Sequence, residues 1–218
     1  MSKSRPHESW TCGIKKTCSK DHVPPKCIFP EPRSSDLITV PACTECNMHR
    51  SGLDQQFKVF LGLTVGYHLD GDRSYRGPVL RTLAHNRRLR SGILESMRRV
   101  TIHDPLTPSI SHPASAILLN KAAHDTVIEK TVRRLYFHHT GKILSDRYPL
   151  IVQWLRVLTD ELFKVTNDWS AGAADYPVFV YKYAIDRDDP EIICWILQFF
   201  QKTWSIVISN PDGGSPNE

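Results

Sequence analysis

Apolar and polar positions along the chain alternate with two different periods. In Leu53–Leu69, "LDQQFKVFLGLTVGYHL", Phe57, Phe60, Leu61 and Val65 fall near helical spacing, which predicts a helix. Residues 73–100 carry Leu80, Leu83, Leu89, Ile93, Leu94 and Met97 at intervals that suit one or two amphipathic helices. A longer helix is expected from about Leu118 to His139, stopped at Gly141, where glycine takes a left-handed cap cheaply. Beyond that point the period shortens to two. "YPVFVYKYAI", "ICWILQFF" and "TWSIVIS" are short β-branched and aromatic runs, read as two or three antiparallel strands packed on the helices. Trp195, Phe199, Phe200 and Trp204 are expected in that core. The closing "NPDGGSPNE" has turn and disorder composition.

The first 52 residues differ. They hold five of the six cysteines and the prolines Pro24, Pro25, Pro30, Pro32 and Pro41, a composition suited to a short metal-stabilised unit. The spacing reads as a strand ending at Asp21-His22, a proline-rich loop, a second strand "LITV" and a helix beginning near Cys43. The expected class is therefore α+β: a ββα unit over 1–66, then a domain over 67–218 with arginine-rich helices followed by short strands.

Composition narrows the function classes. At 218 residues with 40% hydrophobic and 23% charged content, the chain can bury a core and is not expected to be disordered. No run of 18 apolar residues suggests a membrane span, and no apolar stretch follows the basic start, so the chain reads as cytoplasmic, with reduced or metal-bound cysteines and no membrane partner. The net charge of +5 suits an anionic partner. Residues 73–100 concentrate that charge, with eight arginines against one glutamate. Arg87, Arg88, Arg90, Arg98 and Arg99 would suit a surface that tracks phosphates, or equally a solvated helix face.

Three short segments, "DHVPPK", "DLITVPAC" and "CTECNMHRS", together resemble the HNH endonuclease family over roughly residues 9–60. "LYFHHTGK" and the tryptophan-rich strands resemble the C-terminal part of small bacterial members more loosely. The resemblance implies a ββα-metal fold that hydrolyses phosphodiester bonds in nucleic acid, DNA ahead of RNA. It implies that Asp21 and Asn47 hold a divalent ion, Mg²⁺ or Mn²⁺, that His22 is the general base, and that Arg50 touches phosphate. His49 is an alternative metal ligand. Asp21 and His22 are adjacent on a strand, so their side chains leave opposite faces unless the chain bends there; the resemblance implies such a bend, and Pro24-Pro25 suits a chain leaving regular pairing at once.

Relatives of this kind also hold a structural zinc between two Cys-x-x-Cys pairs. Cys12, Cys43 and Cys46 match that set, but Ser9 stands where the first cysteine belongs. The fourth ligand is then sought among His7, Cys18 and Cys27, and the bland reading of Cys18, Cys27 and Cys194 is small buried side chains. Asp36 occupies the motif's middle position, where asparagine is common; it can accept hydrogen bonds there but not donate them. His138 and His139 are read as helix-end residues that favour the negative end of the dipole. A catalytically inactive, zinc-stabilised module that binds nucleic acid or a partner protein is the competing class, and a homodimer is compatible with either.

Overall fold

The computed structural model describes residues 6–43, 51–65, 72–103, 107, 109–118, 120–155 and 157–211. Strands β1 (Pro6–Glu8), β2 (Lys15–Val23) and β3 (Ile38–Cys43) form one antiparallel sheet in that order, with a 3₁₀ turn at Lys26–Ile28 between β2 and β3. Three helices follow: α1 (Ser51–Val65), α2 (Asp72–His85) and α3 (Arg87–Ser96). A two-stranded ribbon, β4 (Arg98–His103) and β5 (Ser111–Ala116), precedes the long helix α4 (Lys121–Thr140). Strand β6 (Leu150–Leu155) and the short helix α5 (Asp160–Val165) lead into β7 (Ser170–Ala174), β8 (Phe179–Ile185), β9 (Ile193–Phe199) and β10 (Thr203–Ser209). These last five strands form an antiparallel sheet in the order β6-β10-β9-β8-β7. The class is α+β.

Helix α4 runs through the centre because its sequence gives it two clean ends and an apolar stripe. Asn120 Oδ1 accepts the Ala123 N–H at 3.2 Å, and Gly141, at φ 68°, donates its N–H to Phe137. Between them Val127, Ile128, Val132 and Leu135 are fully buried. On the large sheet, alternation sends Ile193, Trp195, Leu197 and Phe199 to the helix side, and all four are buried. Helix α1 joins the same core through Phe57, whose ring meets Phe199 edge-on at 5.3 Å. Burying each of these large side chains is worth about 1.5–3 kcal/mol.

One apolar cluster runs from Val23, Ile28 and Val40 through α1 and α4 to Trp195 and Phe199. Segments 1–66 and 67–218 therefore share a core.

Several expectations require correction. Cys43 itself ends strand β3, since the β2–β3 pairing extends as far as Cys18↔Cys43, and the start of the helix expected near it lies outside the described residues. The C-terminal sheet has five strands, with β6 and the alanine-rich β7 added to the three runs read from sequence. The arginine-rich stretch stops being helical at Met97, and Arg98 begins a strand.

Candidate active site and cysteine turn

The β2–β3 pairing fixes the geometry of the Asp21-His22 pair. Asp21 lies opposite Val40, His22 opposite Thr39 and Val23 opposite Ile38, in regular register, so the bend expected there is absent and the two side chains leave opposite faces. Asp21 points inward and is buried. Its Oδ2 accepts the Trp10 indole N–H at 3.1 Å and lies 2.9 Å from Nε of Arg134, which α4 delivers from below. The Arg134 guanidinium also stands over the Trp10 ring, 5.1 Å from its centroid. Three segments far apart in sequence thus converge on one carboxylate.

His22 points the other way, into a cleft of about 690 Å³ lined by Lys20, Lys26, Arg33, Ser34 and Thr39. Burial pulls the imidazole pKa below its ordinary 6.5. Lys26 lowers it further, Asp21 opposes, and Arg33 and Lys20 add to the lowering. The ring is thus biased towards its neutral form at neutral pH. Glu31 and Arg33, themselves an ion pair, line both this cleft and a second of about 720 Å³ that also takes in Lys58, Arg81, His85 and Arg87. The basic lining thereby continues from His22 to the arginine helices. Arg88 instead lines a separate cavity with Leu89, Ile93 and His124, and Arg90 is exposed on α3.

The cysteine turn lies at the start of β2. Ser9 is fully buried, and its Oγ accepts the Cys43 N–H at 3.2 Å and the Thr11 N–H at 3.5 Å. Gly13, at φ 65°, donates its N–H to the Ser9 carbonyl at 2.9 Å, and glycine suits that left-handed position. The turn brings Cys12 Sγ to 3.9 Å from Cys43 Sγ. Zinc with sulfurs at about 2.3 Å in a tetrahedron sets them about 3.8 Å apart, so this pair fits zinc. Among the described residues, no group of three or more histidine, cysteine or acidic side chains converges on a metal position.

Cys46, Asn47, His49 and Arg50 lie outside the described residues. The backbone places His7 opposite Lys16 and Cys18 opposite Cys43. Cys27 is tied elsewhere: its thiol donates to the Asp54 carbonyl of α1 at 3.4 Å, and burial, with Asp54 adding, pushes its pKa up to about 11. That is a structural thiol, as in the bland reading.

Asp36 accepts the backbone N–H of Asp175, at the β7–β8 turn, at 3.3 Å. Acceptance alone is the role that an aspartate can fill there. His139 Nε2 lies 2.8 Å from the Tyr181 hydroxyl, and burial lowers its pKa, with His138 adding to the effect. His138 and His139 both stand exposed in the last turn of α4, as expected from the sequence. Of the aromatic residues expected in the core, Trp195 and Phe199 are fully buried, while Phe200 and Trp204 are half-buried.

Trp10, Lys26, Arg33, Lys58, Arg81 and Arg134 were not singled out by motif. Arg134 alone carried a signal, since it lies seven residues after Val127 on the buried stripe of α4, where a lone arginine requires a partner. No protein-family model matches the chain, and no curated protein or solved structure matches it either.

Proposed function

We propose that this chain is a metal-dependent endonuclease of the HNH type that hydrolyses phosphodiester bonds in DNA. The observation that carries the reading is His22: an imidazole biased towards neutrality, facing a cleft lined by lysine and arginine, on a β2–β3–α1 framework. A neutral imidazole can take a proton from the attacking water. The new P–O bond forms as the ester P–O bond breaks, and the departing oxygen is protonated from solvent. Lys20, Lys26 and Arg33 hold phosphate oxygens by charge, and the second cleft extends that hold to Arg87. The resemblance would have Asp21 and Asn47 hold Mg²⁺ or Mn²⁺, which would supply charge stabilisation at the phosphate. The Asp21 carboxylate, however, leaves the face opposite His22 and is bound by Trp10 and Arg134, so it would reach an ion beside His22 only after that strand end rearranges. Cys12, Cys43 and Cys46, with one substitute ligand, would hold a structural zinc.

A second reading has its own support. Asp21 already shares its charge with buried Arg134, so an incoming cation competes with a guanidinium for that carboxylate. Ser9 stands in a cysteine position and makes backbone hydrogen bonds there instead. Both features suit a zinc-stabilised module that binds nucleic acid or a partner without cutting.

Incubating purified protein with supercoiled plasmid in Mg²⁺, Mn²⁺ or EDTA separates the two. Nicked or linear product that needs metal supports the nuclease. Intact plasmid with folded protein refutes it and leaves the binding module. Elemental analysis finding no zinc in freshly purified protein refutes the zinc site.

A further inference from the structure

The β4–β5 ribbon is built unlike the rest of the chain. Six residue pairs join Arg98↔Ala116 through His103↔Ser111, yet all six residues of β4 and five of six in β5 are exposed. A two-stranded ribbon with neither face covered is marginal in water. A partner is the physical reason to keep one.

Its two faces are chemically distinct. Directly opposed residues share a face, so Arg99, Thr101 and His103 lie with Ser111, Pro113 and Ser115 on one side. Arg98, Val100 and Ile102 lie on the other, with His112, Ala114 and Ala116. Each face carries one arginine and one histidine, but only the first adds the hydroxyls of Thr101, Ser111 and Ser115, which can hydrogen-bond to base edges. The second instead adds the methyl-bearing side chains of Val100, Ile102, Ala114 and Ala116, and its Arg98 is engaged by backbone carbonyls of α3 and its cap.

The charge around the ribbon is uncompensated. Among the described residues, Arg87, Arg88 and Arg90 of α3 and Arg98 and Arg99 of β4 have no acidic partner within ion-pair distance. Glu95 is the one acidic residue of α3. Arg98 donates to the Glu95 and Met97 carbonyls, bracing the junction between α3 and the ribbon.

We propose that the β4–β5 ribbon is an arm that enters the major groove of duplex DNA, its Arg99–Thr101–His103 face towards the base edges and the α3 arginines on the flanking phosphates. Dimensions agree. Six residues span about 20 Å and the strands lie about 4.8 Å apart. A major groove about 12 Å wide admits a two-stranded ribbon with its side chains. The deep, narrow major groove of duplex RNA does not, which commits the ribbon to DNA. In taking nucleic acid as partner, this role rests on the reading proposed above; it does not depend on cleavage.

The test uses the full chain in EDTA, so that binding is read without cutting. Fluorescence anisotropy follows a short labelled DNA duplex, the same single strand and an RNA duplex over a range of salt. The variant is Arg99→Glu with Thr101→Glu, both exposed, so circular dichroism stays unchanged. DNA-duplex affinity is expected to fall about tenfold or more, and the log–log salt slope to shallow by about 1. The wild type is expected to bind RNA duplex more weakly than DNA duplex. Unchanged DNA affinity in the folded variant, or equal binding of both duplexes, overturns the proposal. So does a drop in mass by light scattering at unchanged DNA affinity, which assigns the ribbon to a second copy of the chain. Ribbon-dependent binding with no cleavage in metal refutes the nuclease alone; cleavage with ribbon-independent binding refutes the arm alone.

Discussion

Replacing Arg134 by methionine removes the guanidinium from Asp21 while keeping a side chain of similar length in α4. The side chains of Arg134 and Asp21 are 3% and 10% exposed, and that decides the magnitude. An exposed pair would be worth about 0–1 kcal/mol. Removing one partner of a buried pair leaves an uncompensated charge and costs about 3–5 kcal/mol. Loss of the guanidinium over buried Trp10 accounts for about 2 kcal/mol of that. For a chain of this size, 1 kcal/mol shifts Tm by about 2–4 °C, so Arg134→Met should melt about 6–20 °C lower. Asp21→Asn in the same background removes the orphaned charge and keeps an acceptor for the Trp10 indole. It should recover most of the loss, a coupling that a double-mutant cycle in urea measures directly. A loss below about 1 kcal/mol for Arg134→Met, or no recovery in the double variant, would refute the idea that Asp21 is held by a buried charge pair.

Other expectations follow from the same structure. Cleavage should rise with pH through the His22 pKa, because the base works unprotonated and its pKa lies below 6.5; Lys26→Gln removes a cation and should move that inflection upward, read from a pH–rate profile. His124 is buried against Phe60, their rings 4.7 Å apart, and burial lowers its pKa against a smaller pull from Asp125. The unfolded chain then binds the proton more readily, so stability falls as pH drops below about 6.5. His124→Phe should flatten that slope in unfolding titrations. Iodoacetamide should label exposed Cys12 before Cys27 and Cys194, whose thiols burial pushes up to about 11, and added zinc should protect Cys12. Gly172→Ala drives a Cβ into the Tyr181 hydroxyl and ring and should destabilise by about 1–3 kcal/mol, visible as a lower Tm.

The parts of the fold that bury something periodic were legible in the sequence. Helix α4 announced its stripe and its Gly141 stop, and β8 to β10 announced themselves by aromatic alternation. The β4–β5 ribbon was not legible, because it covers no core and so carries no burial pattern, and Arg98-Arg99 reads as more of the preceding arginine helix. Strand β7 was hidden for another reason. Its "SAGAA" has little β propensity, and Gly172 is there because Tyr181 leaves no room for a side chain. At the candidate site, the motif and Pro24-Pro25 suggested a bend that would turn Asp21 and His22 to one side, whereas the β2–β3 pairing stays regular through Val23↔Ile38 and keeps them on opposite faces. What they face was not readable, since Arg134 and Lys58 come from helices more than thirty residues away in sequence.

The central claim, that His22 is the base of a metal-dependent nuclease, is tested most directly by comparing plasmid cleavage by the wild type and a folded His22→Ala variant in Mg²⁺ or Mn²⁺. The proposed function predicts metal-dependent cleavage by the wild type and a rate lower by about 10²–10⁴-fold in the variant. Equal cleavage by the two proteins, or none by the wild type, would contradict it.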